Sequence, residues 1–304
     1  MPHFKTVGLV MRPGSHRSDE TLGRVLDVLA SHDIDIFLDE RILPAAIESA
    51  CGGCCNINEL PRAALDELGK LCDLVIVIGG DGSMLGAARA LCLSGTPVLG
   101  VNRGRVGFLT DVSTVDLEPR LNEILQGHYV AEHRFLLDAF VTRNERVVSK
   151  AHALNDVVLH SGQVARMVEF SLFIDDQFVY RQRADGLITA TPTGSTAYSL
   201  SAGGPMLHPS LEATVLVPMF PHVLSSRPLV IDAASKVSLR IEEGPDIAPQ
   251  LSCDGQTRLV LQPGDRIDII RKPQRLVLLH PEAHDYFDSC RSKLGWSSST
   301  QERP

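Results

Sequence analysis

The chain has 304 residues, of which 44% are hydrophobic and 22% charged, with a formal net charge of −8. This is a globular composition with room for two cores. The acidic balance, with no block of Lys or Arg, excludes a general nucleic-acid or acidic-membrane binder, so any phosphate site has to be local.

Met1 to Val10 has too few apolar residues before Arg12-Pro13-Gly14 for a signal-peptide core, Lys5 to Arg12 reads as a first strand, and no apolar run approaches the roughly 20 residues a membrane helix needs. A cytoplasmic protein is expected. Leu22, Val25, Leu26 and Leu29 follow Ser18 at the i, i+3, i+4, i+7 spacing of an amphipathic helix. A strand over Ile34 to Leu38, a helix over Glu59 to Leu71, a buried strand over Leu74 to Ile78, a helix over Ser83 to Leu93 and a strand over Pro97 to Val101 continue the alternation. Such alternation predicts a parallel sheet covered by helices.

After a helix predicted over Val115 to Gly127, helical periodicity gives way to β-rich stretches. These are Phe135 to Thr142, Ala153 to His160, Val168 to Ile174, Phe178 to Arg183 and Leu187 to Thr191, then Lys236 to Ile241, Arg266 to Ile270 and Arg275 to Leu279. Asp175-Asp176 is a hairpin-turn candidate. The expected fold is an α/β N-terminal domain with a parallel, helix-covered sheet over residues 1–128, plus a mainly β C-terminal domain over 129–280. Residues 281–304 form a C-terminal segment in which Asp285 to Trp296 suits a short helix packing back on the N-terminal domain.

Seven cysteines are present. Cys72, Cys92, Cys253 and Cys290 lie apart in regular-looking segments, which suits reduced thiols. Cys51, Cys54 and Cys55 offer half of a zinc site by spacing, but no second half follows, and an exposed loop is expected. His160, His208 and His222 have no ligand spacing either.

The most informative stretch is Gly79-Gly80-Asp81-Gly82-Ser83, a glycine-rich turn directly after a run of β-branched residues. Glycine lets the backbone approach a bulky anion. The Gly80, Gly82, Gly86 spacing misses the dinucleotide fingerprint by one residue, and the next strand ends in Asn102 rather than an acid. The phosphate motif ending in Gly-Lys-Ser or Gly-Lys-Thr is absent. A carboxylate in such a turn repels phosphate unless it binds a metal or addresses a neutral hydroxyl, which points to transfer chemistry; a solvated turn aspartate is the competing reading.

Asn155-Asp156 interrupts an apolar stretch and suits a sugar's hydroxyls and a base's edge, or else a satisfied bulge. Thr191 to Ser201 is a hydroxyl-rich turn leading into a helix-like segment, where helix capping would account for one hydroxyl more readily than for all. No Gly-x-Ser-x-Gly elbow supports a nucleophilic serine. Arg183-Ala184-Asp185-Gly186 and Asp254-Gly255-Gln256 suit either a ligand border or ordinary turns.

In this order and at these separations, Gly79 to Ser83, Asn155-Asp156, Arg183 to Gly186 and Thr193 to Ser201 resemble the NAD kinase family, from about Leu74 to Gly295-Trp296. The resemblance looks closest to the Gram-negative bacterial enzymes. It implies an α/β domain and a β-rich domain that together bind NAD, with ATP phosphates at Gly79, Gly80, Gly82 and Ser83. Asp81 would contact the adenosine ribose 2′-hydroxyl and accept its proton as Mg-ATP phosphorylates NAD to NADP; Gly82, Asn155 and Asp156 would also bind NAD. Arg166, Arg183 and Asp185 would line the dinucleotide site, Thr196, Ala197, Tyr198, Ser199, Leu200 and Ser201 would hold adenine and ribose, and Gln256 would close it. A divalent cation, magnesium with ATP, and a homodimer or homotetramer are also implied. Ser83 stands where the family often has Thr, and Asp156 where Glu is common. Rival readings are a lipid kinase of the diacylglycerol or sphingoid type, which shares the glycine-rich aspartate turn, and a non-catalytic dinucleotide sensor.

Overall fold

The computed structural model describes residues 3–11, 16–51, 60–103, 107–162, 166–242 and 248–296. Two compact units divide the chain: Met1–His133 with Leu276–Pro304, and Arg134–Arg275.

The first unit opens with strand β1 (Thr6–Met11), helix α1 (His16–Ser31), β2 (Asp35–Asp39), α2 (Pro44–Cys51), β3 (Arg62–Ala63) and α3 (Leu65–Leu71). It continues with β4 (Leu74–Ile78), α4 (Asp81–Leu91), β5 (Val98–Asn102), β6 (Val112–Ser113) and α5 (Leu117–Leu125). All these strands pair in parallel, in the order β3-β2-β1-β4-β5, with β6 beside β5. Helices cover the sheet, so every residue of Leu74-Val75-Ile76-Val77-Ile78 is buried and the strand reads as a continuous apolar run. In α1, Leu22, Val25, Leu26 and Leu29 face the core as their spacing requires. Because the strand order reverses between β1 and β4, the carboxyl end of β4 lies at a topological switch point, where open α/β sheets bind ligands.

The predicted helix over Glu59 to Leu71 resolves into β3 and the shorter α3, since Pro61 and the extended Ala64 interrupt it. Cys51 closes α2; Cys54 and Cys55 lie outside the described residues.

In the second unit, β7 (Tyr129–Arg143) enters from the first and pairs antiparallel with β8 (Arg146–Ala153). The remaining strands are β9 (Asp156–His160), β10 (Val168–Ile174), β11 (Gln177–Ala184), β12 (Gly186–Ala190), β13 (Ala213–Met219), β14 (Leu229–Asp232), β15 (Val237–Ile241), β16 (Gln250–Cys253), β17 (Thr257–Val260) and β18 (Arg266–Pro281). A 3₁₀ turn, Gly194–Thr196, and the four-residue helix α6 (Tyr198–Ser201) follow β12. One antiparallel sheet runs β14-β13-β12-β9-β16-β17; in the other, β11, β10, β15 and the first part of β18 are neighbours. Phe170, Leu172, Leu239 and Ile267 from the latter pack against Leu159, Leu187, Leu216 and Leu251 from the former, forming the core. On the opposite face of the six-stranded sheet, Val158, Ile188, Val215 and Val217 are buried with Leu207.

The Asp175-Asp176 hairpin forms between β10 and β11 with φ of 50° and 63°. Those are the left-handed values a two-residue hairpin turn requires. Arg266 to Ile270 and Arg275 to Leu279, expected as separate strands, are one continuous strand, whose Leu278 and Leu279 run parallel to β5 in the first unit. Helix α7 (Tyr286–Leu294) completes the first unit, capped by Asp285 accepting from the Phe287 N–H and ended by Gly295 at φ 66°. Cys72, Cys92, Cys253 and Cys290 are buried. Among the described residues no helix is long and apolar enough to cross a membrane.

Candidate functional site

At the end of β4 the chain passes through Gly79 and Gly80 into α4, with Gly80 as the extended N-cap. Asp81 is therefore the first residue of the helix rather than a turn residue. Among the described residues, a Cβ on Gly80 or Gly82 would meet nothing within 4 Å beyond the local chain, whereas one on Gly79 would meet Ser83 Oγ at 2.5 Å. Gly80 and Gly82 thus leave open space beside a helix N-terminus, the arrangement that admits an anion to backbone N–H groups.

Asp81 is held from a segment far along the chain. The Phe108 N–H donates to Oδ2 at 3.0 Å, the Leu109 N–H to Oδ1 at 3.1 Å, and the Thr110 hydroxyl to Oδ1 at 3.3 Å. Gly107 makes this wrap possible, because a Cβ there would overlap both Asp81 Oδ1 and Thr110 Oγ1. Asn102, at the end of β5, donates to Thr110 Oγ1 at 2.8 Å and so fixes the same segment. From α7, Lys293 places Nζ 3.6 Å from Asp81 Oδ2 and 4.4 Å from the centre of the Phe108 ring. Burial lowers the Lys293 pKa from its ordinary value, with the Asp81 charge opposing the shift. A fixed carboxylate, a cation and an open helix N-terminus can together orient a hydroxyl against an incoming phosphate.

The second unit contains a cavity of about 570 Å³ lined by Asn155, Asp156, Ala197, Tyr198, Asp254 and Arg258, among others. That volume suits a nucleoside-sized ligand. Asn155 is not inside a strand as the sequence suggested; it lies in the connection between β8 and β9, while Asp156 begins β9. The connection is clamped by Asp254, whose carboxylate accepts from the backbone N–H groups of Leu154 at 3.1 Å, Asn155 at 2.8 Å and Asp156 at 3.3 Å. Asn155 Oδ1 is buried with no hydrogen-bond partner, leaving an acceptor for a ligand donor. Burial, and then the Asp254 charge, push the Asp156 pKa up to about 7. A carboxyl group with that pKa is protonated in a large fraction of molecules at neutral pH and can donate a hydrogen bond.

The hydroxyls of Thr191 to Ser201 are spent largely on the fold. Thr191 donates to Leu154 O at 2.6 Å, Ser195 donates to Pro192 O at 2.6 Å and accepts from the Leu207 N–H at 2.9 Å, and Thr196 donates to Thr193 O at 3.2 Å. Gly194 packs its backbone on Asn155, and a Cβ there would overlap the Asn155 carbonyl. The structure thus brings Asn155, Asp156, Ala197 and Tyr198 to one cavity. Thr196, Ser199, Leu200 and Ser201 adjoin them in sequence without lining it, and Arg166, Arg183, Asp185 and Gln256 do not line it either. Arg166, Arg183 and Gln256 are exposed.

The sequence reading missed Gly107 to Thr110, Lys293 and the clamping role of Asp254. Gly-Phe-Leu-Thr-Asp after a strand was the available signal for the first; for Lys293 there was none.

Residues 7–129 match the model of the ATP-NAD kinase N-terminal domain, and residues 154–280 match that of the ATP-NAD kinase C-terminal domain. The chain belongs to the NAD kinase family. It is 56% identical over 302 residues to the NAD kinase of Chromohalobacter salexigens, covering 99% of this chain and all of that one. The NAD kinase of Hahella chejuensis is 50% identical, with 99% of each chain covered. Among solved structures, yeast NADH kinase complexed with NADH superposes with a TM-score of 0.83 at 26% identity, covering 100% of this chain and 91% of that one. The NAD kinase from Archaeoglobus fulgidus in complex with ATP gives 0.72 at 25% identity, covering 95% and 98%. As a member of the NAD kinase family the chain is a phosphotransferase enzyme.

Proposed function

We propose that this kinase transfers the γ-phosphate of ATP to the 2′-hydroxyl of the adenosine ribose of NAD, giving NADP, with Asp81 as the catalytic carboxylate. The observation that carries this reading is Asp81 itself, fixed by Phe108, Leu109 and Thr110 at the mouth of an open helix N-terminus. Phosphoryl transfer passes through a loose transition state, so positioning and charge neutralisation matter more than base strength, and a carboxylate can take the hydroxyl proton late. Gly79, Gly80, Gly82 and Ser83 would receive ATP phosphates, and Lys293 would orient Asp81. Magnesium bound with ATP would supply charge neutralisation at the transferring phosphate.

In the second unit, Asn155 Oδ1 and the Asp156 carboxyl would address the hydroxyls and base edge of the dinucleotide, with Ala197 and Tyr198 against the adenine. Arg166, Arg183, Asp185, Gln256 and the rest of Thr196 to Ser201 would act on the same ligand, as the family resemblance implies. A homodimer or homotetramer is carried over on the same ground and is checked by light scattering. A buried amide acceptor and a carboxyl titrating near neutrality favour a nucleotide over a lipid acceptor in this cavity.

The test is incubation with Mg-ATP and NAD, followed by detection with a dehydrogenase that accepts only NADP. Product formation is expected. Its absence with every phosphoryl donor tried would overturn the proposed reaction.

A further inference from the structure

One side-chain cluster of the first unit takes no part in the proposed reaction. Asp111 directs Oδ2 at two imidazoles, 2.9 Å from His280 Nδ1 and 2.8 Å from His284 Nδ1. The two rings stack with centroids 4.0 Å apart and an interplanar angle of 22°, so both Nδ1 atoms face the same oxygen. His280 is fully buried, and the side chains of Asp111 and His284 are each only 10% exposed. This is a closed, polar pocket of nitrogen and oxygen donors.

Hydrogen bonding alone does not satisfy it. If each ring donates its Nδ1–H to Asp111, His284 Nε2 and Asp111 Oδ1 are buried without a hydrogen-bond partner, and His280 Nε2 has only the long 3.4 Å approach to Glu132 Oε2. Each such orphan costs on the order of 1–3 kcal/mol. A cation on the Nδ1 side reverses the arrangement, because a neutral imidazole that coordinates through Nδ1 carries its proton on Nε2. His280 Nε2 already faces Glu132 Oε2 at 3.4 Å, and a carboxylate behind a ligating histidine is the usual outer partner of a metal site.

The spacing agrees with the same reading. Donor atoms 2.8 and 2.9 Å apart subtend the near-right angle of neighbouring ligands in a five- or six-coordinate site with bonds of about 2.0–2.2 Å, and would spread to about 3.4 Å in a tetrahedral one. Two imidazoles with one carboxylate suit zinc and its first-row relatives; magnesium prefers oxygen alone. Among the described residues this is the one group of His, Cys, Asp and Glu side chains disposed to hold an ion.

We propose that Asp111, His280 and His284 bind one zinc-class divalent cation, separate from the magnesium that accompanies ATP, with Glu132 as the outer partner of His280. Its place in the fold gives it a consequence. Asp111 directly follows the Phe108 to Thr110 segment that holds Asp81, while His280 and His284 lead into α7, whose Lys293 reaches Asp81. The ion would tie together the two segments that converge on the carboxylate.

The experiment uses the full chain, stripped with a chelator, with Cys51, Cys54 and Cys55 changed to Ser so that thiols do not contribute. Zinc chloride or cobalt chloride is added, metal content is measured after gel filtration, and the cobalt form is examined by visible absorption. About one equivalent should be retained, with cobalt bands showing nitrogen and oxygen ligation and a zinc-dependent rise in Tm. His284→Ala and Asp111→Asn should lose the bound metal, and Glu132→Gln should weaken it by about tenfold or more. His284→Phe fills the ring volume if the alanine variant does not fold. Absence of retained metal in the folded parent protein would overturn the proposal, as would retention unchanged by both Asp111→Asn and a folded His284 variant. Because the readout is metal content, it stands apart from the kinase assay.

Discussion

Glycine leaves space beside Asp81 and removes it beside Asn155. At Gly80 and Gly82 the missing side chains open onto volume that a phosphate can enter, with no atom of a described residue beyond the local chain within 4 Å of where a Cβ would be. At Gly194 the missing side chain lets two backbones touch, and the neighbouring hydroxyls of Thr191, Ser195 and Thr196 are bonded to carbonyl oxygens of the protein. The two motifs look alike in composition, yet one leaves open volume beside a helix N-terminus and the other packs backbone on backbone. Substitutions in the first should therefore act on turnover, and those in the second on stability.

The largest effect is expected from Asp81→Asn, which keeps the shape but removes the proposed proton acceptor. Turnover should fall by roughly 10²- to 10⁴-fold while circular dichroism and NAD affinity stay near wild type. Near-normal turnover would remove Asp81 from its proposed role. Gly194→Ala, with its Cβ forced onto the Asn155 carbonyl, should lose about 3 kcal/mol or more in urea unfolding, whereas Gly80→Ala should unfold close to wild type but show a raised KM for ATP. Equal stability losses in the two variants would break the contrast.

A smaller loss is expected from Asp254→Ala, which deprives three backbone N–H groups of their acceptor and should destabilise by about 1–3 kcal/mol, checked by the urea midpoint. The pH dependence sharpens the same point. Asp156 has a folded pKa of about 7, above its unfolded value, so its contribution to stability is full below about pH 4 and is lost as pH rises through 7. Asp156→Asn should gain on wild type over that window when unfolding midpoints are compared; parallel curves would contradict the shift. The smallest change is expected for Lys293→Met, which retains the stem over Phe108 and removes the charge. A several-fold drop in kcat with little change in KM for NAD is the expected outcome, and an unchanged kcat would leave Lys293 a packing residue.

Much of this molecule was legible in local sequence. The alternation of apolar runs with helical stripes gave the parallel sheet, because burial on both faces makes a strand such as Leu74 to Ile78 uniformly apolar. Asp175-Asp176 gave its hairpin, because few residues accept two left-handed φ values in succession. Short-range pattern failed where a partner lay far away. Asn155 looked like a polar break in a strand, yet its conformation is set by Asp254, about a hundred residues later, and the two strands expected over Arg266 to Ile270 and Arg275 to Leu279 are one, paired first with β15 and then with β5.

By itself, then, the sequence determined that a carboxylate follows a buried strand and two glycines at the start of a helix, since propensity and periodicity are local properties. Tertiary structure decided what that carboxylate touches. Phe108, Leu109 and Thr110 reach Asp81 from 27 to 29 residues away and Lys293 from the last helix, while Asp111 meets His280 across 169 residues. Such contacts depend on how strands are ordered in a sheet and where a returning strand delivers the chain, and no window of neighbouring residues encodes that distance.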